Sequence, residues 1–454
     1  MVISSLINKA RNFWTVGHER TLIIKKNIIY TFLIKGASIV ISFLLIPLTI
    51  HYVNAGQYGI WLTISSMVIW INNFDIGLSN GLRNKMAHSL ALDETENIVK
   101  YVSTTYAILF TIGLFTFALL YVSGSFFNWN QLLNIKGSIN YNIWPIIVIT
   151  LGAFCVQFFL QPVNSVLIAT HQPFKSALIL LLGQALTLIL IFLLTIFAKS
   201  SLLLLVIVVG GSPVFIFLVA NIYVFTTELR RYAPRFSAID FTSAKSLFNV
   251  GGVFFLIQIG ALVLYQTDNI IITRTLGPRD VTTFNLAYKY FSLSNVVFII
   301  MLTPYWSAFT DAYAKNDMAW IKQSIAKMRM LWLYISGVTV ALYLFSPIFY
   351  KWWIGSSVTI PNSVSLSMTV FMIGVNWQGI FATALNGIGK LKIQLIMVIV
   401  TALINIPLSV YLVNAIGLYG TVIANIILVV IINVFLTYQV NLIINNKAKG
   451  IWDK

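Results

Sequence analysis

Long apolar segments recur along this chain and constrain its fold more than any other feature. A helix needs about 20 apolar residues to cross the hydrocarbon core of a bilayer. Only 9% of the 454 residues are charged, against roughly 25% in soluble domains. The sequence predicts an all-α integral membrane protein with twelve transmembrane helices, at 28–50, 58–79, 101–123, 143–168, 176–197, 201–225, 246–273, 282–310, 330–350, 366–387, 391–413 and 416–440.

The positive charges predict the orientation of these helices. Lys and Arg number 29 and the formal net charge is +17. When both termini are assigned to the cytoplasm, most of these residues fall in cytoplasmic segments; the exceptions outside the spans are Lys136, Lys199, Arg274, Arg279 and Lys351. Such a bias sets the orientation of membrane proteins. We therefore expect both termini in the cytoplasm, contacts of the basic loops with membrane lipids, and no nucleic-acid partner.

The predicted spans divide into two sets of six. The longest cytoplasmic connection, 228–245, separates a six-helix bundle at 27–227 from a second at 246–441, with an N-terminal segment at 1–26 and a tail at 442–454. Both halves open with two spans joined by a short turn that contains glycine, NAGQYG in the first and LGPRD in the second. This arrangement is typical of duplicated transporters.

Polar side chains form a stripe along one face of the first two spans of each half. Residues spaced by three, four or seven positions share a helical face, and the stripes consist of Lys35, Ser38, Ser42 and Thr49; Ser65, Asn72, Asp75 and Ser79; Gln258, Tyr265 and Asn269 beside Asp268; and Asn285, Lys289, Ser292, Asn295 and Thr303. A charge near the bilayer centre costs roughly 2.5–3.5 kcal/mol on insertion scales. The stripes therefore indicate two bundles around a hydrated central cavity.

The charges on these stripes allow two interpretations. Lys35 and Asp75 both lie about 12–14 Å inside the cytoplasmic boundary at 1.5 Å per residue, and Asp268 and Lys289 lie at similar depth toward the outer side. These residues could form structural ion pairs between helices. Alternatively, a basic residue meets an anionic substrate and a carboxylate, Asp75 or Asp268, carries a proton. Arg83 at the end of the second span would give the cavity a cationic mouth.

The sequence lacks the motifs of several other functions. No Gly-rich phosphate loop followed by Lys-Ser/Thr is present, which speaks against ATP hydrolysis. The one cysteine, Cys155, allows neither an internal disulfide nor a cysteine-rich metal cluster. No large outer loop offers catalytic residues for a polymerase or glycosyltransferase, and no carbonyl-rich filter indicates a channel. We predict no catalytic residue, no metal site and no cofactor.

The N-terminal spans resemble a known family. Residues 28–66, IIYTFLIKGASIVISFLLIPLTIHYVNAGQYGIWLTISS, and 74–87, FDIGLSNGLRNKMA, are similar to the opening of O-antigen flippases in the multidrug, oligosaccharidyl-lipid and polysaccharide exporter superfamily. The resemblance implies a transporter that moves an undecaprenyl-pyrophosphate-linked oligosaccharide across the bacterial cytoplasmic membrane, in lipopolysaccharide biosynthesis, with other polysaccharide assembly proteins as partners. As its mechanism we expect alternating access between the two bundles, with coupling to H⁺ or Na⁺ and the membrane potential.

The same resemblance implies roles for individual residues. It places four charged residues, Lys35, Asp75, Asp268 and Lys289, on the walls of the central cavity, and Arg83 near its entrance. Three residues of the polar stripes, Asn72, Gln258 and Asn285, complete the predicted substrate-binding set. Two alternatives stay open on this fold. One is a multidrug or small-molecule antiporter, against which the two lysines count because they would repel organic cations. The other is an exporter of another capsular or surface polysaccharide precursor.

Overall fold

The computed structural model describes residues 19–69, 78–133, 143–170, 172–243 and 266–453. These residues are almost entirely helical and contain no strand. Ten of the helices are long and apolar enough to span a membrane: Leu33–Val53, Thr95–Gly124, Ile143–Ala169, Pro173–Phe197, Leu202–Thr226, Pro278–Thr303, Met318–Ile354, Asn362–Ile388, Lys392–Ile416 and Tyr419–Ile444. The all-α membrane fold is confirmed. The other two predicted spans run into residues outside the described ranges, so the number twelve stays a prediction.

The chain forms two compact units. The helices of the first unit are α1 (Glu19–Val53), α3 (Leu78–Ala91), α4 (Thr95–Gly124), α6 (Ile143–Leu160), α7 (Pro162–Ala169), α8 (Pro173–Phe197) and α9 (Leu202–Thr226). Those of the second are α2 (Ala55–Ile69), α5 (Trp129–Leu132), α10 (266–275), α11 (Pro278–Ala314), α12 (Met318–Ile354), α13 (Asn362–Ile388), α14 (Lys392–Ile416) and α15 (Tyr419–Ile444). Each unit has its own buried apolar core.

Helix α2 belongs to the second unit, although it lies in the first half of the sequence. It packs against α11, and Thr282 Oγ1 donates to the Ala55 carbonyl at 2.6 Å. A methyl group on Gly59 would lie 1.6 Å from the Pro278 carbonyl oxygen, so the contact depends on the absence of a side chain there. The predicted bundle boundaries stay a prediction. The structure groups α2, which lies inside the predicted first bundle, with the second unit.

Two turns recur in both halves of the chain. Asn54 and Gly277 both have positive φ, as do Asp93 and Asn316, and 223 residues separate the members of each pair. The left-handed region favours Gly and, among other residues, Asn and Asp. After the second turn, a 2.9 Å backbone hydrogen bond runs back five residues, from Glu94 to Ser89 and from Asp317 to Ala312. These repeated turns support the predicted duplication.

The predicted linker between the halves packs on the first unit. It contains three short 3₁₀ helices, Arg230–Tyr232, Phe236–Ala238 and Phe241–Ser243. The Asp240 amide donates to Thr104 Oγ1 at 2.9 Å and the Arg235 amide donates to Ser103 Oγ at 2.8 Å. Hydroxyl groups on α4 therefore accept hydrogen bonds from linker amides that would otherwise bond to water, and they fix the path of the linker along this helix.

Candidate functional site

A small polar cavity lies inside the second unit, between α10, α11, α13 and α15. Its volume is about 70 Å³ and its lining consists of Gln266, Asp268, Asn269, Phe284, Asn285, Tyr288, Met368, Phe371, Val422 and Asn425. One water molecule takes up about 30 Å³ in the liquid. The cavity can hold a few waters or a small ion, and it is too small for a sugar.

Asp268 provides the carboxylate of this cavity. Its side chain is 1% exposed, and the Asn425 amide nitrogen donates to Oδ2 at 2.6 Å. Among the described residues, none donates a hydrogen bond to Oδ1. Buried polar atoms are rarely left without a partner, so Oδ1 is the atom at which a proton, a cation or a water would bind.

A chain of amides extends from this carboxylate into the core. The Asn405 amide nitrogen donates to Asn425 Oδ1 at 2.8 Å, and Thr267 Oγ1 donates to Asn405 Oδ1 at 3.1 Å. Asn405 is fully buried. Since each group in the chain both donates and accepts, the Asn425 amide is fixed with its nitrogen toward Asp268.

Hydrogen bonds hold the side chain of Asn285, which lines the cavity from α11, in a defined orientation. Its amide nitrogen donates to Asn269 Oδ1 at 2.7 Å and to the Val281 carbonyl at 2.8 Å. Both N–H hydrogens are thereby used. The side-chain oxygen of Asn285, Oδ1, is the atom that stays available to a ligand in the cavity.

The structure gives Asp268 an uncharged hydrogen-bonding partner. An ion pair with Lys289 is one of the two interpretations of the sequence, whereas the described side chain that bonds to Asp268 is Asn425. Lys289 is half-buried on α11 and does not line the cavity. At 100° per residue, the lining residues Phe284, Tyr288 and Asn285 span about 100° of the circumference of α11, and Lys289 lies about 40° beyond Asn285. Of the predicted site residues, the cavity brings together Asp268 and Asn285.

The other predicted site residues are separate from this cavity or outside the described ranges. Lys35 on α1 and Arg83 on α3 are exposed side chains of the first unit. Three further residues, Asn72, Asp75 and Gln258, lie outside the described residues. The Lys35–Asp75 pair therefore stays a prediction.

Sequence reasoning missed the polar residues of the last two spans. Asn405 and Asn425 each interrupt an apolar run, in ALINIPL and VIANIIL. A buried amide in such a run is itself a signal, because it needs a partner in hydrocarbon. A second pair of this kind joins α11 to α13, where Asn295 donates to Asn376 Oδ1 at 2.9 Å. Part of the predicted stripe on α11 thus bonds to neighbouring helices.

Comparison with known proteins identifies the family. A sequence profile of the family described as Polysaccharide biosynthesis protein matches residues 24–310, which is more than half of the chain. The chain belongs to this family. It is 24% identical over 384 residues to a Yersinia pseudotuberculosis protein named as an O-antigen export protein, covering 78% of this chain and 81% of the relative. It is 22% identical over 385 residues to a Salmonella typhimurium protein named as an O-antigen transporter, covering 82% and 85%.

The fold is that of a known transporter superfamily. The structure is similar to an inward-facing multidrug resistance MATE family transporter of the MOP superfamily, with a TM-score of 0.70, 15% identity, and coverage of 92% of this chain and 96% of that one. At this identity the likeness establishes the fold alone. The predicted resemblance to O-antigen flippases of this superfamily is confirmed, and this family member is a multi-pass membrane protein with a transporter fold.

Proposed function

We propose that this protein is a flippase that moves an undecaprenyl-pyrophosphate-linked oligosaccharide, the O-antigen repeat unit, from the inner to the outer leaflet of the bacterial cytoplasmic membrane. The observation that carries the proposal is the similarity to O-antigen transporters over about four fifths of the chain. The all-helical transporter fold supports it. Both termini lie in the cytoplasm in this proposal, and other polysaccharide assembly proteins are its partners.

The proposed mechanism is alternating access. Cationic side chains, Lys35 and Arg83 among them, neutralise the pyrophosphate while polar stripes hydrate the sugar and the lipid tail stays in the bilayer. A ligand shifts a conformational equilibrium only through a difference in its affinity for the two states. Replacement of Lys35 or Arg83 by Ala is expected to reduce export, whereas replacement of Lys199, in the predicted outer loop, should not.

Asp268 is the proposed site of ion coupling. Its carboxylate can take up a proton, and the cavity around it is large enough for a Na⁺ ion. The lining supplies oxygen atoms from one carboxylate and several amides. A site too small for the glycan can bind the coupling ion while the glycan binds elsewhere. One charge that crosses a membrane potential of 100 mV supplies about 2.3 kcal/mol, which would give the transport its direction.

Complementation tests the proposed substrate. The gene is expressed in a bacterium that lacks its own O-antigen flippase, with an empty vector as control, and surface O-antigen is measured. We expect export to return. Normal expression without export of any lipid-linked glycan, together with extrusion of a fluorescent organic cation, would replace the proposal with the multidrug antiporter. Export of a capsular repeat unit only would point to another polysaccharide precursor.

A further inference from the structure

Arg329 lies in an aromatic cradle on the second unit. The guanidinium carbon Cζ is 5.7 Å from the centre of the Trp377 ring and 5.5 Å from that of Phe381. Trp377 is fixed in turn, because its Nε1 donates to Thr437 Oγ1 at 3.2 Å and its ring packs edge-on against Trp332 at 4.7 Å. Helices α12, α13 and α15 therefore hold the guanidinium in one place.

The guanidinium in this cradle has an unused donor. The Arg329 Nε atom is buried, and within the described part of the chain no group accepts a hydrogen bond from it and no carboxylate forms an ion pair with the side chain. The aromatic faces offset part of the cost of burying the charge. They accept none of the directed N–H bonds in the plane of the guanidinium. The geometry points to an anion from outside the chain.

The position of Arg329 along α12 indicates where this anion comes from. Helix α12 has 37 residues, or about 55 Å at 1.5 Å per residue, whereas the hydrocarbon core is about 30 Å thick. Arg329 lies about 16 Å from the first residue of α12, which is the cytoplasmic end in the predicted orientation. The predicted span begins at residue 330. Arg329 is thus expected at the headgroup level of the cytoplasmic leaflet.

The surface beside Arg329 changes from basic to apolar along one face of α12. Lys322, seven residues earlier and about 20° away around the helix, is exposed. Leu333, one turn later, is 63% exposed, and its neighbour Met330 is 59% exposed. This order matches a lipid whose headgroup lies beside the lysine and whose acyl chain lies against the leucine and methionine.

We propose that Arg329 binds the phosphate of a lipid in the cytoplasmic leaflet. The two terminal nitrogens of the planar guanidinium can bind two phosphate oxygens at once. Trp377 and Phe381 hold it in the orientation that this contact needs, and the acyl chain lies along Met330 and Leu333. An anionic phospholipid and a polyprenyl diphosphate both carry a phosphate group that can make this contact. The site is separate from the Asp268 cavity.

Lipid binding by the purified full chain tests this site. The protein in detergent is titrated with phosphatidylglycerol, undecaprenyl diphosphate or diacylglycerol, and binding is followed by native mass spectrometry. We expect Arg329→Gln to weaken binding of a phosphate-bearing lipid about tenfold, as for loss of a charge-assisted contact. Diacylglycerol, which lacks the phosphate, should bind both proteins equally. Arg231→Gln is the matched control, because the Arg231 Cζ also lies over a ring, 4.6 Å from the centre of Tyr232.

Each outcome decides a part of the proposal. An Arg329-dependent loss with phosphatidylglycerol assigns the site to phospholipid, and a loss with undecaprenyl diphosphate alone assigns it to lipid-linked glycan. Equal binding of both lipids by wild type and Arg329→Gln overturns the site, and so does an equal loss in Arg231→Gln. If Arg329→Gln does not fold, Arg329→Lys decides: the charge is kept and the two-pronged contact is lost, so binding should fall several-fold. Unchanged binding by that variant overturns the site.

Discussion

Thr63 Oγ1 and Thr273 Oγ1 lie 2.5 Å apart in the core of the second unit. Each hydroxyl also lies within hydrogen-bond distance of a carbonyl four residues earlier, Gly59 for Thr63 and Asn269 for Thr273. Because each hydroxyl has one hydrogen, only one of them can donate to the other. A helix from the first half of the sequence is thereby hydrogen-bonded to a helix from the second half.

A disulfide in place of this contact should stop transport. We infer that α2 and α10, which come from different halves of the sequence, separate during alternating access. We therefore expect oxidised Thr63→Cys/Thr273→Cys protein to export no glycan and reduced protein to recover export. The variant is made on a Cys155→Ala background, since Cys155 is the one native cysteine. Each single cysteine variant serves as control. Full cross-linking with undiminished export would show that α2 and α10 stay together throughout the cycle.

Gly59→Ala should destabilise the protein. The added methyl would lie 1.6 Å from the Pro278 carbonyl oxygen, a backbone atom, and forced overpacking usually costs about 1–3 kcal/mol. The thermal unfolding midpoint in detergent measures the effect. Gly211→Ala in α9 is the control, because its methyl meets no atom within 4 Å, and helix propensity should make it neutral or stabilising. Equal midpoints for the two variants would contradict the close contact at Gly59.

Asp268→Asn should abolish ion-driven export and leave the fold intact. The replacement keeps the size of the side chain and an oxygen that can accept from Asn425, while it removes the group that binds a proton or cation. Export in vesicles with an imposed pH or Na⁺ gradient is the measurement. Asp280→Asn, a half-buried acid in the first turn of α11, is the control. If Asp268→Asn still responds to both gradients, the coupling site lies elsewhere.

The ion pair of Lys390 and Asp453 should weaken at alkaline pH. Lys390 Nζ donates to Asp453 Oδ1 at 2.6 Å, in the turn after α13. Burial lowers the pKa of Lys390, but its hydrogen bonds to Asp453 and Tyr313 outweigh this, and the net pKa is raised above 10.5. The pair therefore stabilises the fold below pH 10.5, and this contribution disappears as the pH rises through the raised pKa.

Comparison of two lysine variants measures this effect. The unfolding midpoint of Lys390→Met should lie slightly below that of wild type at pH 8, and the difference should vanish above the raised pKa. The effect is expected to be under about 1 kcal/mol because the pair is partly exposed. Lys392→Met, at an exposed position, should show no such trend. A difference that persists at high pH would mean that packing rather than charge explains it.

The sequence by itself determined the spans and their turns. A helix in lipid satisfies its own backbone hydrogen bonds, so the length of an apolar run is a local signal, and ten predicted spans agree with helices of the structure. The turns after Val53 and after Leu276 were also readable, because Asn and Gly mark a left-handed residue. The alternation of basic loops predicts orientation for the same local reason.

Only the tertiary structure decided what the polar residues contact. Asp268 and Asn425 are 157 positions apart, and a helical pattern gives the face on which a side chain lies without giving the helix that this face meets. On α11, Lys289 lies about 40° around the helix from Asn285, yet Asn285 lines the cavity and Lys289 does not. Apolar composition and the helical spacing of polar residues thus determined the membrane-spanning helices and their polar faces. The packing of helices distant in sequence decided that the carboxylate of Asp268 bonds to the amide of Asn425.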